Sequence, residues 1–263
     1  MTKKTGDAAP SAASSLFRHI DALHGDRPWG AMLDAGTGSG SIRWIQSLET
    51  TRWTAVTGAE GHARQVRDLS EAKRRPEDRI VLGNWADPAL LAGERYDTVL
   101  ADYLLGAIDG FAPYFQERLF ARLRTLTGGR LYVVGLNPYV PADEPAEAPA
   151  RIVWRIGRLR DSCLLLAGER PYREYPVEWV IDNLRRSGFE PIAAERFPIR
   201  FGARFVEAQI AMCAPRIARL PDRKLAAALE AHAGALRAEA LALIEQEGSL
   251  ASGADYVIAA EPL

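Results

Sequence analysis

The chain has 263 residues, 48% of them hydrophobic, which is enough apolar mass for one large α/β domain. Lys and Arg (33) nearly balance Asp and Glu (34), so the basic excess that counters a phosphate backbone is missing and no nucleic-acid partner is expected, although a local basic groove can hide in a neutral total. Two cysteines, Cys163 and Cys213, exclude a disulfide framework and a multi-cysteine zinc site; with no apolar run near the roughly 20 residues of a membrane span and no apolar leader core in 1–15, the expectation is a cytoplasmic protein without a membrane partner.

Residues 1–15 mix Lys, Thr, Ser, Ala and Pro without periodicity and read as a disordered terminal segment, followed by a single domain over 16–263. Leu16, Phe17, Ile20 and Leu23 recur at helical spacing as far as Gly25, giving a short helix ahead of the first strand. Apolar runs at 31–35, 54–59, 79–82, 98–101 and 130–136 then alternate with helical patterns, the signature of a parallel sheet covered on both faces. Between the fourth and fifth strands, Phe115, Leu119, Leu123 and Leu126 form the stripe of a helix, with Pro113 suited to its first turn and Gly128 to its end.

A helical pattern from Pro149 carries Ile152, Ile156, Leu159 and Cys163 on one face and Arg151, Arg155 and Arg158 on another; with a further helix at 177–186 it makes an insertion at about 149–187. The arginine stripe suits either a solvated face or an acidic group of a substrate. Strands six and seven are expected at 191–199 and 254–260, separated by two long helical patterns, 203–219 and 222–246, a second insertion at about 203–247. Leu225, Leu229, His232, Leu236 and Leu243 there fit core packing or a coiled-coil seam, the latter allowing a homodimer through the helical pair. The fold expected is α/β, a doubly wound, mostly parallel seven-stranded sheet with an inserted helical pair before the last strand.

The densest chemical signal is Leu33-Asp34-Ala35-Gly36-Thr37-Gly38-Ser39-Gly40, a strand ending in a carboxylate and followed by glycines at alternate positions. Such a turn brings backbone N–H groups close to a ligand. A dinucleotide fingerprint would need glycine at 41, where Ser41 stands. Further along, Glu60 ends the second strand 60 − 36 = 24 residues after Gly36, the right chemistry for two neighbouring ribose hydroxyls, with Gly61 beside it. Val81-Leu82-Gly83-Asn84-Trp85-Ala86-Asp87 follows the third strand, and Asp102-Tyr103 follows the fourth, where open α/β sheets place ligands.

These four elements, in this order, resemble the class I S-adenosylmethionine (SAM) dependent methyltransferases over 15–201 and the final strand, leaving the long helical pair outside the resemblance. It implies SAM as cofactor and S-adenosylhomocysteine (SAH) as product, with Asp34, Gly36, Thr37, Gly38, Ser39 and Gly40 around the methionine portion. Glu60 and Gly61 would lie at the ribose, Asn84 and Trp85 at the adenine, and Asp102 beside both cofactor and acceptor. Asp87 is equally suited to the adenine amine or to capping a helix at Pro88. Asp102 or Tyr103 could take or orient an acceptor proton. Tyr103, Asn137, Tyr139, Tyr172, Tyr175 and Trp179 are the candidates for contacting a small-molecule acceptor through N, O or S.

Other templates fit worse. The histidines His19, His24, His62 and His232 lack ligand spacing, so no metal is expected, and Ser39 is misplaced for a hydrolase elbow. The alternatives kept are an NAD(P)-dependent oxidoreductase on a related fold and a non-catalytic SAM-binding protein that docks a partner through its long helices.

Overall fold

In a computed structural model the described residues are 14–263, so the disorder expected for 1–15 lies, except for Ser14 and Ser15, outside them. The apolar runs become strands of one sheet: β1 (Gly30–Asp34), β2 (Thr50–Thr57), β3 (Arg79–Leu82), β4 (Tyr96–Asp102), β5 (Thr127–Leu136), β6 (Phe189–Phe201) and β7 (Leu250–Pro262). Their spatial order is β3-β2-β1-β4-β5-β7-β6. β1 to β5 pair in parallel, whereas β7 runs antiparallel between β5 and β6. Met32, Leu33, Val99 and Leu100 are wholly inaccessible, as expected for strands covered on both faces.

The helices are α1 (Ser15–His24), α2 (Ser39–Ile45), α3 (Glu60–Ser70), α4 (Leu104–Ala107), α5 (Gln116–Arg124), α6 (Ala148–Leu166), α7 (Val177–Arg186), α8 (Ala203–Ile217) and α9 (Arg223–Glu247). One face of the sheet packs Phe17, Ile20, Ile42, Trp44, Ile45 and Val66 from α1, α2 and α3 around Trp53. The other packs Leu104, Leu105, Leu119, Phe120, Val180 and Leu184 from α4, α5 and α7. Asp97 is structural: its Oδ2 accepts the Ala31 N–H at 2.8 Å, tying the start of β1 to β4.

The helix between β4 and β5 is shorter than its stripe predicts. Tyr114 has φ 67°, which no helix interior admits, so Pro113 precedes the helix instead of opening it. Gly128 does not end it either. Gly128 and Gly129 belong to β5, where a side chain at Gly129 would strike the Asp97 carbonyl oxygen.

The inserted helical pair has a third member. α6 joins α8 and α9 around Ile152, Val153, Ile156, Val206, Leu236 and Leu250, while α7 of the same stretch packs on the sheet. The stripe of α9 that turns inward is Ala226, Leu229, Ala233, Leu236, Ala240 and Leu243; it takes in Leu229, Leu236 and Leu243 of the expected line but not Leu225 and His232, which are exposed. Alanine at every seventh position (226, 233, 240) lets the helix backbones approach closely, which a larger residue would prevent. This seam is filled within the chain by α6 and α8. Arg155 of the basic stripe pairs with Glu239 of α9 at 2.6 Å, Arg151 pairs with Glu144, and Arg158 covers the Trp154 ring.

Candidate active site

The carboxyl ends of β1, β2, β3 and β4 open into one cavity, at the point where the strand order reverses between β1 and β4. Ala35, Gly36 and Thr37 form one wall, Thr57, Gly58 and His62 the next, and Gly83, Asn84 and Trp85 a third. Asp102, Leu104, Ala107, Ile108 and Phe111 close it, with Tyr172 at its border. Three wall glycines sit at close approaches: a Cβ on Gly36 would press on Leu104 at 3.0 Å, one on Gly58 would meet the Phe111 ring at 2.6 Å, and one on Gly83 would meet Leu90 at 2.5 Å.

The polar groups at the β1 end are arranged for something the chain does not itself supply. Asp34 has no accessible surface; the Ser41 and Thr37 hydroxyls and the Gly36 N–H lie near its carboxylate, but none makes a well-formed hydrogen bond to either oxygen. Burial pushes its carboxyl up to about 6; the neighbouring Ser41 and Thr37 hydroxyls and the Gly36 N–H offset only part of that cost. The Thr37 hydroxyl is likewise buried and unpartnered. Ser41 Oγ also accepts from the Gly38 N–H at 3.0 Å, holding the loop against the start of α2.

Asp102 lines the cavity, and its carboxyl is raised to about 7 by burial first, then by the charges of Asp34 and Asp255. Tyr103 sits at φ 48°, a left-handed conformation uncommon for a side chain of its size, and donates its hydroxyl to Asp255 Oδ1 at 2.7 Å. Burial and Asp255 drive this phenol well above its ordinary range, so it is a donor to Asp255 and not a proton acceptor. Glu174 follows, its carboxylate against the Cα of Gly106 in α4 and its carboxyl raised to about 7 by burial, against the pull of Arg160.

Not every expected residue reaches the cavity. Glu60 opens α3 beside it, half exposed, with its carboxylate 3.4 Å from Arg67; Gly38, Ser39, Gly40 and Gly61 are not part of the lining either. Asn84 lines it, but its Oδ1 accepts the Ala86 N–H at 2.9 Å and its Nδ2 donates to the Phe111 carbonyl at 2.7 Å. Trp85 is buried and anchors the end of β1 by donating its indole N–H to the Ala35 carbonyl at 2.7 Å. Asp87 is a turn cap, accepting the Ala89 N–H at 2.9 Å.

Beyond α4 lies a second cavity of 600 Å³, between the sheet and the three-helix bundle, which shares Tyr172 with the first. Tyr139 lines it beneath the guanidinium of Arg160, to which its hydroxyl is also bonded. Asn137 does not reach it: its Oδ1 accepts the Val177 N–H at 3.1 Å and caps α7. Tyr175 and Trp179 stack on each other at 4.0 Å and pack against the core, outside both cavities. Phe111, His62 and Glu174 are lining residues that sequence reasoning missed. Phe111 and Glu174 stand in short irregular stretches with no motif around them, and His62 suggests by itself only a metal ligand without companions.

No protein-family model and no curated protein matches the chain. Solved structures do match. A putative methyltransferase from Bacillus halodurans is 13% identical, with 95% of this chain and 100% of that one covered at a TM-score of 0.59. The mycolic acid cyclopropane synthase CmaA1, crystallised with SAH, is 16% identical over 93% of this chain and 83% of that one, at 0.55. The YcgJ protein of Bacillus subtilis is 13% identical over 94% and 97%, also at 0.55. At such identities the likeness concerns the fold, which is that of the class I SAM-dependent methyltransferases.

Proposed function

We propose that the chain is a SAM-dependent methyltransferase acting on N, O or S of a small molecule. The observation that carries this reading is the buried pair of unpartnered groups, the Asp34 carboxylate and the Thr37 hydroxyl, at the end of β1. An unpaired buried charge costs several kcal/mol, and a ligand that brings positive charge and N–H donors offsets it. SAM carries both, an α-ammonium and a sulfonium. The strand order also favours it over a dinucleotide oxidoreductase: the antiparallel β7 between β5 and β6 departs from the 3-2-1-4-5-6 sheet of that class.

Gly36 and Thr37 would hold the amino-acid end, and Thr57, Gly58 and His62 the ribose side. Glu60 would join them by leaving Arg67, a surface contact worth at most about 0.5 kcal/mol. Gly83, Trp85 and Phe111 would enclose the purine. When bound, SAM supplies an electrophilic methyl carbon whose sulfur leaves without protonation, so alignment and exclusion of water do most of the work. Asp102, which lines the cavity at the end of β4, would face the positive charge of the donor. The 600 Å³ cavity suits a metabolite-sized acceptor. No helix among the described residues is long and apolar enough to cross a membrane, and both cysteines are free and buried, in keeping with a cytoplasmic setting.

Calorimetric titration tests the cofactor: SAM and SAH bind, NAD does not, and Asp34→Asn, which removes the buried carboxylate at the end of β1, weakens binding. Folded protein without affinity for SAM or SAH refutes the reading. Turnover of SAM by protein plus cell extract, lowered in Asp34→Asn, separates an enzyme from a non-catalytic binder.

A further inference from the structure

The second cavity contains several ionisable groups, and nearly all of them are already matched. Arg216 donates to Glu169 at 2.6 Å, and Glu169 also meets Arg219. Arg160 is held by Asp161, the Tyr139 hydroxyl and Gln209 Oε1. Asp109 accepts the Tyr114 N–H at 3.3 Å. Arg170 donates to the Tyr114 hydroxyl and covers its ring. Glu174 differs: it lines this cavity, and among the described residues it has neither a hydrogen bond nor an ion pair.

Its position is fixed by α4. The Glu174 carboxylate rests on Gly106, where any side chain would collide with it, and the next residues along, Ala107 and Ile108, face the cofactor cavity. Asp255, the nearest other acid acting on Glu174, is occupied by the Tyr103 hydroxyl. Apolar and aromatic side chains fill out the wall, Leu136, Leu164, Met212 and Tyr172 among them. Glu174 is therefore the one acid of this wall with neither a hydrogen bond nor an ion pair among the described residues, in a chamber beside the cofactor cavity whose other unpaired charges, Asp109 and Arg170, are engaged by Tyr114.

On the methyltransferase reading above, the geometry points to a small arylalkyl amine as acceptor, with Glu174 as the catalytic residue that binds its ammonium and accepts its proton. R–NH3⁺ gives one proton to the Glu174 carboxylate, and the freed nitrogen lone pair forms the new N–CH3 bond while the electrons of the donor's S–CH3 bond go to sulfur. The products are R–NH2–CH3⁺, SAH and protonated Glu174, which returns its proton to solvent when the product leaves. Alcohols and thiols would leave the carboxylate without its counter-charge, and carboxylic acids would be repelled by it.

The test is binding to SAH-loaded protein, read by saturation-transfer NMR and calorimetry with phenethylamine, 2-phenylethanol and 3-phenylpropanoic acid and their ring-substituted analogues. Amines should bind best, and Glu174→Gln should weaken them roughly tenfold to a hundredfold while leaving SAH affinity unchanged. Amines bound no better than their isosteric alcohols, or bound equally by Glu174→Gln, overturn the assignment. The wild-type amine-against-alcohol comparison decides the matter alone if the variant does not fold. Failure of the wild type to bind SAH removes the cofactor reading and this inference with it, whereas SAH binding without amine preference removes this inference only.

Discussion

Replacing Asp34 by Asn should make the ligand-free protein more stable at neutral pH and less able to bind SAH. Burial lifts the folded-state carboxyl from 3.8 to about 6, and a tenfold change in an acid constant is worth about 1.4 kcal/mol, so ionised Asp34 weakens the apo fold by about 3 kcal/mol above pH 6. The sign follows from linkage. A carboxyl whose folded pKa is raised contributes nothing unfavourable below its unfolded value, and stability is lost progressively as pH rises from 3.8 through about 6. Asn removes that charge but leaves a buried amide short of partners, returning about 1–2 kcal/mol. The net gain is about 1–2 kcal/mol at pH 7.5, or roughly 2–8 °C in Tm for a domain of this size. Near pH 3.5 only the amide cost remains, so the variant should there be the less stable of the two. Thermal melts across pH 3.5–8 with and without SAH measure all of this. A Tm difference that does not change sign with pH, or an Asp34→Asn protein that binds SAH as tightly as wild type, would refute the reasoning.

Gly58→Ala sets a methyl group against the Phe111 ring, which is 43% exposed and can swing into the cavity; SAH affinity should fall about tenfold with little loss of stability, and unchanged affinity by calorimetry would place Phe111 away from the ligand. Trp85→Phe removes the 2.7 Å bond to the Ala35 carbonyl and leaves that oxygen unsatisfied, which should lower stability by about 1–3 kcal/mol in urea titrations. Ala233→Leu overfills the small-residue line of α9 and should cost about 1–3 kcal/mol, whereas Leu225→Ala, on the outer side, should stay within about 0.5 kcal/mol. Equal effects from those two would restore the other stripe as the buried one.

How much of the site is legible in the sequence depends on whether a residue's partner is local along the chain. The turn after β1 is legible because its glycines, its carboxylate and the following helix are consecutive. Asp102 is legible as the end of an apolar strand. Asn84 and Asn137 stand out as polar residues in the right loops, yet their amides are engaged in holding Phe111, Ala86 and Val177. Tyr175 and Trp179 read equally well as ligand contacts or as packing, and the stacking of one ring on the other decides for packing.

The sequence by itself determined the sheet, because strand burial on both faces demands unbroken apolar runs, and it marked the loop after β1, because a strand-ending carboxylate, the glycines and the helix that follows are consecutive in the chain. Helix limits such as Pro113 and Gly128, the third helix of the bundle, and the inward line of α9 were decided by tertiary packing. Periodicity says that a face is apolar but not which neighbour covers it. The burial that raises the carboxyls of Asp34, Asp102 and Glu174 exists only once distant strands and helices have closed around them and excluded water.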